Sequence, residues 1–445
     1  MLVAWLADPR VILGNQGSSL PAKVIDRPPR FRYHRNVTAP SVYRTLLFTL
    51  AIVLPLPCVA SSYLDTLRVR TKVLPNDEIR AAWVVRHALS SPDDVDRMID
   101  YAVRARFHLL FVQVRGRGDA YYKSTLEPRG LSLSAPIDSF DPLEYLLMRA
   151  HGEGISVHAW VNVCYVWSDS KRDPPENHIV VAHPDWLMAD TRGTRMDEEP
   201  VREWQKRGLE GYYVSPGIPE VRAHTIAVVK EIVDNYNVDG VHLDYIRYPN
   251  SNFDYSAGDR TAFILRYGVD PKALHDREVS LTGMLGGDGI AFFDSLYTTW
   301  RVARIDSIVR GIRKAIGDLP LSAAVLPEYD KAFVNNGQDW LGWIQRGDVD
   351  FVVPMAYAYT PDRLIERVKM IKRMVGARHF LIGLPAFDGK FQYLGYSVSL
   401  LRVEGVLGYS IFSYNSLREK RFSLEFLERV FFEEEAVDED EDQED

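Results

Sequence analysis

The chain has 445 residues, of which 46% are hydrophobic and 26% are charged, and its formal net charge is −8. This length and apolar content suffice for a large buried core, and the acidic balance argues against the basic surface of a nucleic-acid-binding protein. The charge is uneven, because residues 433–445 contain ten acidic and no basic residues, whereas residues 1–60 contain seven Lys or Arg and two Asp. Such an acidic run is typical of a disordered, solvated tail, expected here over residues 421–445.

An apolar run near the N terminus predicts that the chain is exported. Residues 45–60 (TLLFTLAIVLPLPCVA) follow several arginines, and the run is shorter than the roughly 20 apolar residues that a spanning helix needs. Two prolines and the small residues around Cys58 fit a cleavage site. We therefore expect a signal peptide within residues 1–60, with a membrane anchor or a lipidated Cys58 as alternatives, and a linker over residues 61–77. The expected location is periplasmic, cell-envelope or extracellular.

From residue 78 onward, strand and helix signals alternate along the chain. Eight nearly continuous apolar runs of strand type occur, at residues 81–88, 108–115, 156–167, 239–249, 321–327, 349–358, 380–387 and 406–414. Segments with helical signals separate most of these runs, at residues 90–106, 141–152, 219–236, 300–316, 340–346 and 361–375. An insertion of about fifty residues, at about 250–297, follows the fourth run.

This alternation predicts an α/β fold in which a parallel sheet is buried on both faces. Eight such units give a (β/α)8 TIM-type barrel over residues 78–420, with the inserted segment after strand 4. Catalytic groups of such barrels lie at the carboxyl ends of the strands. The crossover before the eighth strand is short and weakly helical, so an open doubly wound sheet is the alternative, although no Gly-rich phosphate loop follows the first strand.

The fourth strand and the loop after it carry the most informative polar residues. In residues 239–249 (DGVHLDYIRYP), His242 and Asp244 alternate with apolar residues and therefore share one face of the strand. A carboxylate and an imidazole at the end of a buried strand cost free energy unless the site uses them. The alternative interpretation is an ion pair between Asp244 and Arg247 that only fixes the loop.

Polar and aromatic residues also occur near the ends of other predicted strands, and a barrel would bring them to the same face. The candidates for substrate binding are Gln113, Arg115, His158, Trp160, Asn162, His242, Arg247 and Tyr357. Aromatic rings combined with amide and guanidinium donors suit a sugar, because its ring has apolar faces and a rim of hydroxyl groups. The residues that could offer such faces, with packing at the barrel rim as the alternative, are Trp160, Trp167, Tyr245, Tyr248 and Tyr357.

Hydrolysis of a glycosidic bond usually requires two carboxyl groups, one as an acid and one as a nucleophile or base. Asp244 is the candidate for the charged member, because Arg247 or Arg115 could keep its pKa low. Glu328, just after the fifth strand, is the candidate acid, with an exposed loop glutamate as the alternative interpretation. Acidic residues on other loops of the same face remain open alternatives, namely Asp119, Asp169 and Asp190.

Other chemistries find less support in the sequence. It contains no HxH, HExxH or paired CxxC motif and no GxSxG motif, which are patterns of preassembled zinc sites and of serine nucleophiles. No metal or cofactor is therefore expected, and a metal site built from His158, His242 and Asp244 is a distant alternative.

The motifs taken together resemble those of the glycosyl hydrolase-like family 10 proteins, formerly domain of unknown function number 187. The matching segments keep the same order over roughly residues 78–415 and include RAAWVV at 80–85, GISVHAWVNV at 154–163, HPDWL at 183–187, DGVHLDYIRYP at 239–249, QDWLGWIQRG at 338–347 and VDFVVPMAY at 349–357. The resemblance implies a (β/α)8 barrel, exported in bacteria, that acts on cell-envelope glycans, with peptidoglycan strands as the foremost substrate. It also implies a catalytic role for Asp244, although this chain has Tyr245 where many members carry a second acidic residue.

We therefore predict an exported glycoside hydrolase with a polysaccharide substrate, in which Asp244 is the nucleophile or stabilising carboxylate and Glu328 is the general acid. The other candidates would orient the substrate, while Trp160 and Tyr357 form platforms for sugar rings. The alternative is a non-catalytic glycan-binding protein of the cell envelope on the same barrel. A second carboxyl group near Asp244 distinguishes the first hypothesis from the second.

Overall fold

The computed structural model describes residues 78–419, apart from 134, 138, 358–359 and 388–392, together with Leu427. The segments expected to form the signal peptide or anchor (1–60), the linker (61–77) and, except for Leu427, the acidic tail (421–445) lie outside the described residues. Within the part of the chain that the structure covers, no helix is both long and apolar enough to cross a membrane.

In the described residues, ten strands form two sheets. The strands are β1 (Ile79–Val84), β2 (Leu109–Arg115), β3 (Ser156–Asn162), β4 (Tyr165–Trp167), β5 (Tyr212–Tyr213), β6 (Gly240–Asp244), β7 (Leu321–Val325), β8 (Phe351–Pro354), β9 (Ile382–Pro385) and β10 (Gly408–Phe412). Eight of them form a parallel sheet in the order β8, β7, β6, β3, β2, β1, β10, β9, and bridges from Val352 to Phe380 and from Met355 to Gly383 join its two edges. The sheet is thus nearly closed into a barrel, which confirms the predicted fold class.

Helices surround this sheet, and most of them connect consecutive barrel strands. They are α1 (Pro92–Arg104), α2 (Pro142–Gly152), α3 (Ile179–Ala182), α4 (Val201–Lys206), α5 (Pro219–Asn235), α6 (Ala257–Tyr267), α7 (Pro271–His275), α8 (Val279–Ile316), α9 (Tyr329–Asn336), α10 (Trp340–Arg346), α11 (Pro361–Val375), α12 (Leu394–Val403) and α13 (Tyr414–Glu419). The predicted insertion forms α6, α7 and the first part of α8, which bends at Gly286. The crossover with weak helical signals contains α12, so it follows the same β/α pattern.

Local sequence fixes where the first two long helices begin. The Ser91 hydroxyl accepts a hydrogen bond from the backbone N–H of Asp94 at the start of α1. The Asp141 carboxylate accepts hydrogen bonds from the backbone N–H groups of Leu143 and Glu144 at the start of α2. Proline occupies the first position of both helices, where its missing N–H costs no hydrogen bond. Both starts agree with the sequence prediction.

The third apolar run forms two strands, although the sequence predicts one strand over residues 156–167. β3 ends at Asn162, and the chain then leaves the barrel, so that the Cys164 carbonyl accepts a hydrogen bond from the N–H of Val214. β4 pairs with β5 in a separate antiparallel sheet, here called the β4–β5 sheet. An apolar run cannot reveal this division, because both parts are buried.

Side chains that alternate along the strands fill the barrel interior in layers. From the amino to the carboxyl end, the paired positions on β3 and β6 are His158 with Gly240, Trp160 with His242, and Asn162 with Asp244. In the lower layers, His242 stacks on Phe111 with ring centroids 4.0 Å apart, and His158 contacts the same ring edge-on. Only the uppermost of these pairs has both of its members at the open end of the barrel.

Gly240 provides the space that the His158 ring occupies. A Cβ atom at position 240 would lie 2.5–2.7 Å from three atoms of the imidazole, and His158 is fully buried. We expect Gly240→Ala to lower the free energy of unfolding in urea by about 1–3 kcal/mol, the usual cost of overpacking a core. Gly152→Ala is the control, because a Cβ atom there meets nothing within 4 Å. Equal stability of the two variants would contradict this packing argument.

Candidate active site

A cleft of about 430 Å³ lies at the carboxyl ends of the barrel strands. Its lining comes from most of these strands and from the β4–β5 sheet with the residues before it, and comprises Trp83, Val85, Arg86, Gln113, Trp160, Asn162, Tyr165, Glu210, Asp244, Tyr245, Arg247, Leu326, Met355, Tyr357 and Phe412. The volume falls in the range of ligand pockets. This face is also the one that carries the catalytic groups in TIM-type barrels.

Two other cavities, of about 660 and 470 Å³, lie away from these strand ends. The larger one is lined mainly by Lys, Asp and Glu side chains from α5, from the start of α2 and from the loop after β2. Neither cavity contains a residue of the barrel strands. We therefore assign the site to the strand-end cleft, despite its smaller volume.

Asp244 is the last residue of β6, and its carboxylate is held by the loop that follows. The backbone N–H of Tyr245 donates a 2.6 Å hydrogen bond to Oδ1, and Nη1 of Arg247 lies 3.3 Å from the same oxygen. Burial raises the pKa of Asp244 and outweighs the charge of Arg247 and the Tyr245 hydrogen bond, which lower it. The expectation that Arg247 keeps this pKa low is therefore corrected. A carboxyl group that retains its proton more readily suits an acid.

Tyr245 turns sharply out of β6 and places its ring in the cleft. Its backbone φ of 49° lies in the left-handed region, which costs a non-glycine residue roughly 1–2 kcal/mol. The ring stacks on Tyr165 with centroids 4.7 Å apart, and the Arg247 guanidinium lies 4.4 Å from the Tyr245 ring centroid. These contacts fix both the ring and the guanidinium beside Asp244.

Glu210 supplies a second carboxylate to the cleft. It lies two residues before β5, and its Oε2 accepts a 2.6 Å hydrogen bond from the Tyr213 hydroxyl. The residue is exposed, and its negative charge adds to the effects that raise the pKa of Asp244. No periodic pattern marks Glu210 in the sequence, because it precedes a strand of only two residues. The one available signal is an acid directly before the aromatic segment GYYV.

The predicted site residues that line the cleft are Gln113, Trp160, Asn162, Asp244, Arg247 and Tyr357. A polar network holds three of them in place. The Trp160 indole N–H donates to Oδ1 of Asn162 at 2.8 Å, and the Asn162 amide donates to the Gly116 carbonyl at 2.7 Å. Gln113 accepts a 2.8 Å hydrogen bond from Arg86. The amide groups are therefore oriented before any ligand binds.

Arg115 is a structural residue of the barrel, in contrast to its predicted role in substrate binding. Its Nη2 lies 2.7 Å from Oε1 of Glu127, and both side chains are 1% exposed. Its Nη1 also donates to the backbone carbonyl of Asn162. Arg115 therefore supports the end of β3 from behind and does not line the cleft.

The two predicted histidines lie inside the barrel below the cleft. His242 accepts a 3.0 Å hydrogen bond from the Trp83 indole N–H, and its other ring nitrogen lies 2.9 Å from the Ser322 hydroxyl oxygen. Burial lowers the pKa of His158 to about 3 and also lowers that of His242, so both are neutral. Among the described residues, no group of three or more His, Cys, Asp or Glu side chains could hold a metal ion. The metal site considered from the sequence, with Asp244 as its third member, is therefore not formed.

Glu328, the predicted acid, is not brought together with Asp244. It immediately precedes α9, and its Oε1 lies 3.3 Å from Nη2 of Arg367 on α11. It does not belong to the cleft lining. The sequence places Glu328 just past a strand end, but its side chain turns outward to the surrounding helices.

The remaining candidates have partners outside the cleft. Trp167 and Tyr248 each lie against an arginine guanidinium, 5.0 and 4.4 Å from the respective ring centroids. Asp169 and Asp190 form ion pairs with arginines, and Asp119 accepts a backbone hydrogen bond. The described site therefore combines one buried and one exposed carboxyl group with aromatic walls and fixed amides.

Comparisons with known proteins identify a family and related chains. The sequence profile of the family described as glycosyl hydrolase-like 10 matches residues 78–374, more than half of the chain. The glycosyl hydrolase YngK of Bacillus subtilis (strain 168) is 23% identical over 310 residues, which cover 63% of this chain and 54% of the relative. The glycosyl hydrolase DigH of Escherichia coli (strain K12) is 25% identical over 281 residues, which cover 58% of this chain and 56% of the relative. The chain thus spans about half the length of the curated relatives it matches.

A solved structure supports the architecture. The glycoside hydrolase domain of PgaB (BpsB) from Bordetella bronchiseptica has a TM-score of 0.57 and 16% sequence identity, with coverage of 80% of this chain and 99% of that domain. At this level of identity the likeness concerns the fold, which is the barrel described above.

Proposed function

Because the chain belongs to the glycosyl hydrolase-like 10 family, we propose that it is a glycoside hydrolase whose substrate binds in the strand-end cleft. The observation that carries the proposal is the presence of Asp244 and Glu210 in one cleft with aromatic walls. Two carboxyl groups are the usual requirement for hydrolysis of a glycosidic bond. The two curated relatives described above, YngK and DigH, are named glycosyl hydrolases, which supports the same activity here.

In the proposed mechanism, Asp244 donates a proton to the glycosidic oxygen, because its raised pKa favours the protonated form. The Tyr245 N–H and Arg247 then stabilise the carboxylate that remains. Glu210, oriented by the Tyr213 hydroxyl, attacks the anomeric carbon or activates a water molecule. This assignment replaces the predicted pair of Asp244 and Glu328.

We further propose that the substrate is a cell-envelope polysaccharide, foremost the glycan strand of peptidoglycan, and that the protein is exported. The apolar run at residues 45–60 and the family resemblance support this part of the proposal. Fractionation of the producing cells, with sequencing of the mature N terminus, tests export. Recovery of the uncleaved chain from the cytoplasm alone would contradict it.

The test of the activity is incubation of the purified protein with intact peptidoglycan, with peptidoglycan stripped of stem peptides, and with a panel of soluble polysaccharides. We expect new reducing ends and shorter glycans by mass spectrometry. Release that persists undiminished in Asp244→Asn would remove Asp244 from the reaction. Retention on a glycan without any release would favour the non-catalytic glycan-binding protein on the same barrel.

The second carboxyl group can be identified with a matched pair of variants. We expect Glu210→Gln to lower turnover by about 10²–10⁴-fold, the usual contribution of an acid or base. Glu328→Gln should keep turnover near that of the wild type, because Glu328 pairs with Arg367 away from the cleft. Reducing-end release measures both. The opposite pattern would restore Glu328 as the partner of Asp244.

A further inference from the structure

Arg86 lies in the cleft with its side chain in a defined position. It follows β1 closely, and its Nη1 donates a 2.8 Å hydrogen bond to Oε1 of Gln113. The side chain passes over Gly116, where an added Cβ atom would come within 2.6 Å of Cδ and 2.9 Å of Nη1. Glycine at position 116 is therefore what allows the guanidinium to lie here.

No acidic side chain neutralises Arg86 by direct contact. Within the described part of the chain, no carboxylate oxygen lies within 4.0 Å of its guanidinium, and Nη2 has no hydrogen-bond partner. Nε is buried and also lacks an acceptor. The other arginine of the cleft lining, Arg247, is paired with Asp244. Arg86 thus differs from Arg247 in that no carboxylate of the described residues contacts its guanidinium.

The cationic groups around Arg86 contribute little free charge of their own. Burial lowers the pKa of His87, and the charges of Arg86 and Arg117 lower it further, while Asp119 acts in the opposite direction. Arg117 is itself paired with Asp169 at 3.4 Å. The free positive charge at this position therefore comes mainly from Arg86.

We propose that Arg86 binds a carboxylate carried by a sugar residue, so that the glycan cleaved in this cleft is acidic. The inference rests on the proposed function, because that function places a glycan in the cleft. A guanidinium that no carboxylate of the described residues contacts matches a ligand carboxylate in charge and in hydrogen-bond geometry. A neutral glycan would leave its charge without a counterpart where water is partly displaced. Arg86 thereby determines specificity, while Asp244 and Glu210 remain the reacting pair.

The test compares two forms of one glycan. The first is peptidoglycan strands stripped of stem peptides, which leaves their lactyl carboxylates free, and the second is the same strands after reduction of these carboxylates to hydroxymethyl groups. Binding is measured with the full-length Asp244→Asn protein, and hydrolysis with the wild type. We expect Kd to be about 10–100-fold lower for the acidic strands, as for a hydrogen bond to a charged group. The preference should weaken with added salt, and KM should follow it more than kcat.

Variants then assign the preference to Arg86. In the Asp244→Asn background, Arg86→Gln should reduce the ratio of the two Kd values to about one, whereas Arg86→Lys should keep part of it, because lysine retains the charge without the planar fork. Arg363→Gln, an exposed change outside the cleft, should leave the ratio as it was. Thermal unfolding checks that each variant is folded.

The outcomes separate this inference from the proposed hydrolase. Equal binding of the two strands, or binding of neither, overturns the inference, as does a preference that survives Arg86→Gln. A preference for acidic strands without hydrolysis by the wild type overturns the hydrolase and leaves the acidic-glycan site in place. Hydrolysis by the wild type without a preference for acidic strands supports the hydrolase and overturns the acidic-glycan site.

Discussion

Asp244→Asn should lower kcat by about 10²–10⁴-fold or more and leave the fold intact. Asparagine keeps the size of the side chain and an oxygen that can accept the hydrogen bond from the Tyr245 N–H, but it cannot donate a proton as an acid. KM should change much less, because the aromatic and amide contacts of the cleft remain. The measurement is the rate of reducing-end release from the glycan that the wild type cleaves.

The same substitution should change how stability depends on pH. Burial raises the pKa of Asp244 above its usual value of 3.8, so between these two values the native state binds more protons than the unfolded chain. The contribution of Asp244 to stability is therefore fully present below pH 3.8 and is lost as the pH rises through the raised pKa. An asparagine at this position cannot ionise, so the Asp244→Asn variant does not lose stability as the pH rises. Its melting temperature at neutral pH should therefore equal or exceed that of the wild type.

The control for both effects is Asp318→Asn, which changes an exposed aspartate just before β7, away from the cleft. It should alter neither turnover nor the pH dependence of unfolding. Substantial turnover in Asp244→Asn would remove Asp244 from the reaction. A fall in its melting temperature at neutral pH would show that the carboxylate stabilises the fold in its ionised form.

Arg115→Met should destabilise the protein by about 3–5 kcal/mol, the usual cost of removing one partner from a buried ion pair. Glu127 would then keep its charge in the interior, where the His224 ring, 2.9 Å away, is its remaining ion-pair neighbour among the described residues. The loss should be visible as a lower free energy of unfolding in urea. Because Arg115 also supports the Asn162 backbone, activity should fall together with stability.

The pH dependence of unfolding reports on the same pair. Burial raises the pKa of Glu127, but the charges of Arg115 and His224 outweigh it and hold the pKa at about 2, below the usual 4.5. The stabilisation is therefore present above pH 4.5 and is lost as the pH falls towards 2. Arg115→Met should remove most of this acid sensitivity, because the variant lacks the main group that lowers the pKa.

Arg97→Met is the matched control. Arg97 pairs with Asp94 on the surface, where its side chain is 53% exposed, and such pairs contribute at most about 1 kcal/mol. If Arg115→Met kept the stability of the wild type and raised KM alone, Arg115 would be a substrate-binding residue, as the sequence predicts.

Part of the site can be predicted from the sequence, because side chains at the carboxyl ends of parallel barrel strands meet at one face. Gln113, Asn162 and Asp244 belong to predicted strands and lie at or near the carboxyl ends of β2, β3 and β6. Alternation along a strand shows which side chains point inward, but not how deep they lie. For this reason the sequence groups His158 and His242 with Asp244, although they belong to layers below the cleft.

Site residues that do not come from the barrel strands could be identified only from the three-dimensional structure. Tyr165 and Glu210 reach the cleft through the pairing of β4 with β5, which are separated by 44 residues of irregular chain and short helices. No local propensity specifies such a contact. Glu328 shows the opposite case, since its position in sequence is favourable but Arg367 of a neighbouring helix draws its carboxylate away.

The exposed position of Glu210 has a consequence for how this family can diverge. Replacement of Glu210 would lose the hydrogen bond from the buried Tyr213 hydroxyl but would remove no core packing, because Glu210 is exposed. In the proposed mechanism, one such substitution would remove a reacting group and leave the core, the strand motifs and the cleft in place. A member of the family could thus lose its catalytic activity while its sequence still matches the family. Among descendants of this barrel, the side chain at the position of Glu210 should separate those that cut glycans from those that only hold them.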